Sequence, residues 1–401
     1  MPYTDYMSSA PFSLYVHIPF CTAKCTYCDF NSYAGQDSLM APYAEAAALE
    51  AALWAPHMIG RPVETVFFGG GTPSLLPLDG MRTIVMALRS HFDILPDAEV
   101  SLEANPGTVD LVHLEGLHSL GFNRISFGVQ SFHEDELRRL ERIHDAQEVE
   151  DAYRWAREAG FGNVNLDLIY GLQGQTMAGW QTNLETALAL GPDHLSLYAL
   201  TLEEGTPLTR DVERGRSSGP DLDLQADMFE WSRERMTQAG YAHYEVSNWA
   251  RPGRECRHNL VYWHNGDWLG LGAGAHSHLG YERFADAASP RRYVELVQAT
   301  SSAGAPEATS MQQVTYRDPG NREREMAETV FLALRLREGL DLAGFELRYG
   351  VSLRETFGPA LDETLSLGLT ELVDGRLRLR DEAVMLGDEA FLRFLPDYET
   401  P

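Results

Sequence analysis

SLYVHIPFCTAKCTYCDF, residues 13–30, places three of the chain's four cysteines within eight positions. The apolar start of this stretch predicts a β-strand that Pro19 ends, so Cys21, Cys25 and Cys28 lie on the loop at its C-terminal end. Four cysteines in 401 residues are too few for a disulfide scaffold, and their clustering indicates a metal site. Three thiolates on one loop can hold three irons of a 4Fe-4S cluster and leave the fourth iron open for another ligand.

A zinc site is the alternative interpretation of these cysteines, with Cys256 or a histidine as the fourth ligand. Structural zinc sites usually combine two paired cysteine knuckles, and the sequence contains no second Cys-x-x-Cys. The pattern therefore favours the iron–sulfur cluster.

Six short segments with apolar or alternating residues predict strands, and helical segments separate them. They are SLYVHIP, TVFFGGG, EVSLEAN, RISFGVQ, NVNLDLIYG and HLSLYAL, at residues 13–19, 65–71, 99–105, 124–130, 163–171 and 194–200. This alternation predicts an α/β protein with a parallel sheet. Glu103, Gln130 and Asp167 lie towards the C-terminal ends of their strands, where a βα barrel carries its active site.

The charge balance limits the partners of this chain. Its 32 Lys and Arg residues stand against 59 Asp and Glu residues, a net charge of −27, which argues against nucleic acid. No apolar run reaches membrane-spanning length and no signal-peptide pattern opens the sequence, so we expect a cytoplasmic protein.

The motif Cys-x3-Cys-x2-Cys, preceded by YVHIPFC, resembles that of the radical S-adenosylmethionine (SAM) enzymes. The resemblance implies a partial (βα)6 TIM-like barrel in which SAM chelates the open iron of the cluster. An electron from the cluster then cleaves the sulfonium to give a 5′-deoxyadenosyl radical. Glycines at residues 69–71 suit the close approach of backbone N–H groups to an amino-acid head group, and GGGTP matches the family's methionine-binding stretch.

Further motifs resemble the branch that contains oxygen-independent coproporphyrinogen III oxidase. That resemblance implies that Tyr15, Gly70 and Glu103 contact the SAM on the cluster. In that oxidase, which decarboxylates its substrate, a neighbouring region holds a second SAM. The resemblance implies that this region is lined here by Tyr27, Gly71, Thr72, Gln130, Arg142 and Asp167. An alternative role for Arg142 is a salt bridge on a solvated helix.

Two features depart from the decarboxylase and put its activity in doubt. Phe30 replaces an extra cysteine of its motif, and few residues precede the first predicted strand. The motif His-Asn-x-x-Tyr-Trp instead resembles the radical SAM heme chaperone family, which delivers heme to respiratory hemoproteins. The resemblance implies a heme site formed by His258, Asn259, Tyr262 and Trp263.

His258 is the leading candidate for the axial ligand of the heme iron, with Cys256, His264 and His276 as competitors. A different interpretation is that an aromatic segment around one histidine is ordinary packed core.

We expect three parts: residues 1–205 as the barrel, residues 206–310 as an extension with the heme motif, and residues 318–401 as a small α+β, winged-helix-like domain. The C-terminal domain is expected to cover the open face of the barrel. The leading functional hypothesis is a heme chaperone with a 4Fe-4S/SAM core. Alternatives are a radical enzyme acting on a porphyrin, and a metal-stapled scaffold without turnover. The implied partners are heme, recipient hemoproteins including membrane-bound respiratory enzymes, an electron donor such as flavodoxin or ferredoxin, and a second copy of the chain in a homodimer.

Overall fold

The computed structural model describes residues 10–304 and 307–396. Its strands are, in chain order, β1 (Phe12–Ile18), β2 (Phe20–Cys21), β3 (Tyr33–Ala34), β4 (Pro62–Gly70), β5 (Asp93–Ala104), β6 (Arg124–Gln130), β7 (Asn163–Tyr170), β8 (His194–Ala199), β9 (Ala242–Glu245), β10 (Asn248–Ala250), β11 (Trp268–Leu271), β12 (His276–Leu279), β13 (Glu282–Asp286), β14 (Val314–Asp318), β15 (Leu340–Asp341), β16 (Thr370–Val373) and β17 (Arg376–Leu379).

The α-helices of the described residues alternate with these strands. They are α1 (Met40–Trp54), α2 (Leu78–His91), α3 (Leu111–Ser119), α4 (Glu134–Arg139), α5 (Ala146–Glu158), α6 (Met177–Leu190), α7 (Pro207–Glu213), α8 (Leu222–Gln238), α9 (Arg257–Trp263), α10 (Pro290–Ser302), α11 (Arg322–Ala333), α12 (Leu342–Tyr349), α13 (Leu353–Ser366) and α14 (Gly387–Phe394). No described helix is long and apolar enough to cross a lipid bilayer.

One large sheet forms the centre of the molecule, with the strand order β14-β13-β12-β11-β1-β4-β5-β6-β7-β8-β10-β9. The six strands β1, β4, β5, β6, β7 and β8 run parallel. The two end strands of the sheet do not pair with each other, so the barrel is partial. This confirms the fold that the six βα units predict.

Apolar residues on the outer face of the barrel strands explain why these strands lie in the centre. Leu14, Val16 and Ile18 of β1 are fully buried, as are Leu166 and Leu168 of β7. Because side chains alternate between the two faces of a strand, Tyr15 and Asp167 point to the other face and line the cavity. Local signals also fix the helix ends: Asp145 and Glu148 form a capping box at the start of α5.

The segment 206–310 adds strands to both edges of the parallel sheet. β10 pairs antiparallel with β8, and β11 pairs parallel with β1. Many of its buried residues, including Trp249 and Leu271, belong to the same core as the barrel strands. Pairing along the free edges satisfies backbone groups that an open sheet would otherwise expose.

The C-terminal segment has an apolar core of its own, built from α11–α14 and the small sheet β15-β17-β16. Its hairpin turns at Asp374 and Gly375, which have φ angles of 51° and 76° and suit the expected Asp-Gly turn. The sequence pattern predicts a helix over residues 322–337, whereas α11 ends at Ala333. The chain turns there because Leu336 forms a β-bridge with Glu245 and Arg337 N donates to Tyr244 O.

The expected position of this C-terminal unit over the open face of the barrel is wrong. Among the described residues, none beyond Tyr262 lines the main cavity. The unit contacts α9 and the edge strand β9 instead. Asn265 Nδ2 donates to Thr329 Oγ1, and Arg348 donates to Asn265 O. These polar contacts and the backbone hydrogen bonds to β9 explain the position of the C-terminal unit.

Candidate functional site

A cavity of about 550 Å³ runs through the barrel from the cysteine loop to helix α9. Its volume is in the range of small-molecule sites. It is lined by most of the residues that the sequence singled out, namely Tyr15, Cys21, Cys25, Tyr27, Cys28, Gly71, Thr72, Glu103, Gln130, Arg142, Asp167, His258, Asn259 and Tyr262. Gly70 and Trp263 are not among the lining residues.

The cysteine loop follows β1 and is closed at its base by β2 and β3, which pair with each other. Cys21, Cys25 and Cys28 are half-buried free thiols at the wall of the cavity. Burial raises the pKa of the Cys21 and Cys28 thiols. A cation bound by the sulfurs reverses that preference, because coordinated thiols lose their protons.

The spacing of the sulfurs fits a cluster better than a single zinc ion. The sulfurs of Cys21, Cys25 and Cys28 do not all lie within 4.8 Å of one another. Among the described residues, the potential ligand atoms that converge this closely belong to His278, Glu325 and Glu328. Ligands of one tetrahedral ion must converge more closely than these sulfurs do, whereas sulfurs that bind separate irons stand further apart. Cys256 lies away from the loop, with its Sγ atom 3.7 Å from Glu99 Oε1.

Arg142 bridges the cysteine loop and the barrel wall. Its Nη1 atom lies 3.5 Å from Cys25 Sγ, and Nη2 donates to Gly128 O at 2.6 Å. Within the described residues it forms no salt bridge, so the alternative of a surface ion pair does not hold. The cation is placed to stabilise negative charge on the cysteine sulfurs.

The glycine stretch at the end of β4 supports the cysteine loop. Gly71 N donates to Ile18 O, Thr72 N donates to Phe20 O, and Gly70 N donates to Glu103 Oε2. These three N–H groups are therefore hydrogen-bonded within the protein. Close approach explains the glycines: a Cβ on Gly71 would lie 2.6 Å from Phe20 O, and one on Gly70 would lie 2.5 Å from His17.

Two half-buried carboxyl groups face the middle of the cavity. Burial and then the neighbouring charge of Asp167 raise the pKa of Glu103 to about 8. Burial also raises the pKa of Asp167, although its carboxylate accepts hydrogen bonds from Ser126 Oγ and Asn165 Nδ2. These oxygens can accept from hydroxyl groups or lie against a positive ligand group.

Tyr15 connects the cluster side of the cavity to its deeper part. The backbone oxygen of Asn31 can only accept, so His17 Nε2 carries the proton in their 2.8 Å hydrogen bond. His17 Nδ1 then accepts from the Tyr15 hydroxyl at 2.9 Å. The Tyr15 ring stacks 6.5 Å from the ring of His258. On the far wall, Gln130 adopts a positive φ of 68°, a strained conformation common at functional sites.

Helix α9 closes the base of the barrel, and it carries the His-Asn-x-x-Tyr-Trp motif. Glu99 accepts from the backbone N–H groups of Arg257 and His258 and so holds the first turn of the helix. His258 is fully buried. Its Nδ1 is hydrogen-bonded to Thr65 Oγ1 at 2.7 Å and its Nε2 to Tyr262 Oη at 2.8 Å. Burial, then the charge of Arg124, lowers the pKa of His258 to about 3.

The motif residues divide between two environments. His258, Asn259 and Tyr262 face the floor of the cavity, whereas Trp263 lies on the side of the C-terminal unit, with the Arg335 guanidinium 4.5 Å from its ring. Ligation of a heme iron by His258 requires one of its two hydrogen bonds to break. The competitors His264 and His276 are exposed and do not line the cavity.

Sequence reasoning missed the polar residues that line the lower barrel. They are Arg124 and Ser126 of β6, and His194, Ser196 and Tyr198 of β8. Within each strand they are spaced two residues apart, so they share one face, and this alternation is the signal in the sequence that could have found them.

Comparisons with known proteins agree with this geometry. Residues 15–187 match the model of the radical SAM superfamily, and residues 321–386 match that of the HemN C-terminal domain. A protein of Mycobacterium tuberculosis named heme chaperone HemW is 39% identical over 95% of this chain and 94% of its own length. The heme chaperone HemW of Synechocystis is 40% identical over 83% of this chain and 80% of its own.

A solved structure shares the fold over nearly the whole chain. Coproporphyrinogen III oxidase (HemN) from Escherichia coli, described as a radical SAM enzyme, superimposes with a TM-score of 0.83. The match covers 98% of this chain and 92% of that chain at 26% identity.

Proposed function

This chain belongs to the heme chaperone HemW family, and from that premise we propose that it binds heme and transfers it to hemoproteins. The observation that carries the proposal is the continuous cavity, which has the three cysteines at one end and the His-Asn-x-x-Tyr-Trp helix at the other. A ligand or conformational change at one end of such a cavity is well placed to affect the other.

We propose that Cys21, Cys25 and Cys28 hold a 4Fe-4S cluster and that SAM binds beside it. Three thiols on one loop, spaced too widely for one ion, support the cluster. When bound, the cluster supplies the electron that cleaves SAM reductively. An electron donor such as flavodoxin or ferredoxin would then be a partner, in addition to the recipient hemoproteins.

The residues proposed to contact SAM have distinct roles. Glu103 and Asp167 offer carboxyl oxygens to polar or cationic parts of the ligand, and Tyr15 is fixed by His17. Arg142 holds positive charge beside Cys25. Tyr27, Thr72 and Gln130 complete the wall near the cluster.

For heme, His258 remains the proposed axial ligand, with Asn259, Tyr262 and Trp263 as the surrounding motif. Aromatic rings near the motif support stacking against a porphyrin. Because His258 makes two hydrogen bonds in this arrangement, heme ligation would be coupled to a rearrangement of α9.

A second candidate function is the conversion of coproporphyrinogen III by radical chemistry. The observation that favours it is that Gln130, Arg142 and Asp167, the residues matched to the decarboxylase, line one cavity with the cysteines. Phe30 in place of a cysteine argues against it.

Anaerobic titration of the cluster-reconstituted protein with heme, followed by Soret absorbance, tests the first proposal. Saturable binding that His258→Ala weakens at least tenfold, with transfer to an apo-hemoprotein and no porphyrin product, would support it. His264→Ala is the matched control, because His264 is an exposed histidine close to the motif. Tyr262→Phe provides a milder variant if His258→Ala does not fold. Protoporphyrinogen formation without saturable heme binding would establish the second candidate instead.

A further inference from the structure

Arg124 is a buried cation at the floor of the cavity, and no described residue hydrogen-bonds to its guanidinium. It is the first residue of β6, and only 2% of the residue is exposed. Its side chain makes no hydrogen bond or ion pair with the described part of the protein, and its Nε atom is buried without a partner. A buried charge without a partner is costly, so this arrangement needs an explanation.

The acidic groups closest to Arg124 are engaged elsewhere. Glu99 accepts the backbone N–H groups of Arg257 and His258, and Asp167 accepts from Ser126 and Asn165. Glu103 accepts from Gly70, and its pKa of about 8 leaves it mostly protonated at pH 7. The negative charges nearby raise the pKa of Arg124, so the guanidinium stays charged.

The polar side chains beside Arg124 are also committed to each other. His194 is hydrogen-bonded to Asn165 Oδ1 through Nδ1 and to the Tyr244 hydroxyl through Nε2. A guanidinium fork that lines a cavity and finds no acceptor in residues 10–304 and 307–396 is suited to an acceptor on a ligand. Carboxylates fit this fork best, since they accept two parallel hydrogen bonds.

We propose that Arg124 binds a carboxylate group of the ligand that occupies the barrel, and that this group is a propionate arm of a tetrapyrrole. The assignment of the carboxylate to a tetrapyrrole rests on the proposed function. Recognition by Arg124 needs no axial ligand, so it is separable from the role of His258.

The test uses metal-free protoporphyrin IX, which has two propionates and no iron to ligate, and its dimethyl ester, which lacks the carboxylates. Binding of each to the reconstituted full chain is measured anaerobically by porphyrin fluorescence. We expect the free acid to bind about tenfold or more tightly than the ester, and Arg124→Gln to remove most of that difference. Arg157→Gln is the matched control, because Arg157 pairs with Asp193 on the outer surface and does not line the cavity.

Equal binding of acid and ester to the unaltered protein would overturn the inference while leaving heme transfer as the proposed function. A preference for the acid that persists in a folded Arg124→Gln variant would also overturn it. If that variant does not fold, Arg124→Lys, which keeps the charge but not the fork, is expected to retain only part of the preference. Absence of saturable binding of both porphyrins would overturn the inference, and the separate heme titration followed by Soret absorbance then decides whether the proposed function stands.

Discussion

Thr65 and His258 are joined by a 2.7 Å hydrogen bond although 193 residues separate them. Thr65 donates its hydroxyl proton to Ser13, so His258 Nδ1 is the donor and its Nε2 accepts from the Tyr262 hydroxyl. The bond attaches the motif helix α9 to barrel strand β4 and fixes the neutral tautomer of the histidine.

Replacement of Thr65 by Val removes this acceptor but keeps the shape of the side chain. A buried His258 Nδ1–H group would be left without a partner, so we expect the free energy of unfolding to fall by about 1–3 kcal/mol. Anaerobic chemical denaturation measures the change. Thr83→Val, which loses only an exposed bond within α2, is the control and should change stability by less than about 0.5 kcal/mol. Equal effects of the two variants would contradict the structural role of Thr65.

Substitution of Cys21, Cys25 or Cys28 by Ser should abolish incorporation of iron and sulfide, because each thiolate is proposed to bind a different iron. Cys256→Ser should leave the iron and sulfide content unchanged, since Cys256 lies beside Glu99. The measurement is the iron and sulfide content after anaerobic reconstitution. Loss of the metal in the Cys256→Ser variant as well would instead support a site in which Cys256 is the fourth ligand, as in the zinc alternative.

Arg142 should raise the reduction potential of the bound cluster, because a positive charge beside Cys25 stabilises the more negative, reduced state. For Arg142→Gln we expect the potential to fall by on the order of 60 mV, the equivalent of 1.4 kcal/mol for a one-electron couple. A redox titration followed by electron paramagnetic resonance measures it. Arg139→Gln, which removes an exposed arginine on α4, is the control. An unchanged potential in the Arg142 variant would show that its charge does not act on the cluster.

The contribution of Glu103 to the stability of the unloaded protein should fall as the pH rises between about 4.5 and 8, whereas buried histidines such as His258, whose pKa is lowered, contribute in the opposite direction. Burial raises the pKa of Glu103 from its ordinary value of 4.5 to about 8, so the folded state retains a proton that the unfolded chain releases. Unfolding therefore becomes easier across this window and levels off above it. The raised pKa of Asp167 acts in the same direction.

Glu103→Gln should flatten this pH dependence, whereas Glu150→Gln, on the exposed side of α5, should not. Denaturation midpoints at several pH values between 5 and 9 provide the test. A slope in the Glu103 variant as steep as in the unaltered protein would assign the effect to other groups.

The contact between the C-terminal unit and the barrel depends on Glu325, which is nearly fully buried between His278 and Arg348. Glu325→Gln should lower the free energy of unfolding by about 3–5 kcal/mol, because it removes the charged partner that His278 and Arg348 share in a buried network. Thermal unfolding measures the loss. Glu389→Gln, which breaks an exposed pair with Arg393, is the control and should have little effect.

The local patterns in the sequence predict the cysteine loop and the six parallel strands well. Cys21, Cys25 and Cys28 lie on a loop directly after β1, and the polar strand positions Glu103, Gln130 and Asp167 meet in one cavity. Period, composition and turn residues are local properties, so a single sequence is enough to interpret them.

Long-range pairing accounts for what the sequence could not predict. The register of β11 against β1 places Trp268 opposite Ser13, and no local signal relates these segments. The same holds for α9 at the barrel base, which depends on contacts with Thr65 and Glu99. Arg124 resembled an ordinary residue at a strand start until its missing partners were visible in three dimensions.

The anchoring of the cysteine loop also bears on how the protein is made. Asn31 Nδ2 donates to Ala273 O, a residue 242 positions further along the chain. At a synthesis rate of about 5–20 residues per second, the ribosome needs roughly 10–50 s to add that segment. During this interval the three thiols lie on a nascent chain in which the hydrogen bond between Asn31 and Ala273 has not yet formed. The order of synthesis thus leaves a period in which iron and sulfide can reach the loop before the later strands fasten it.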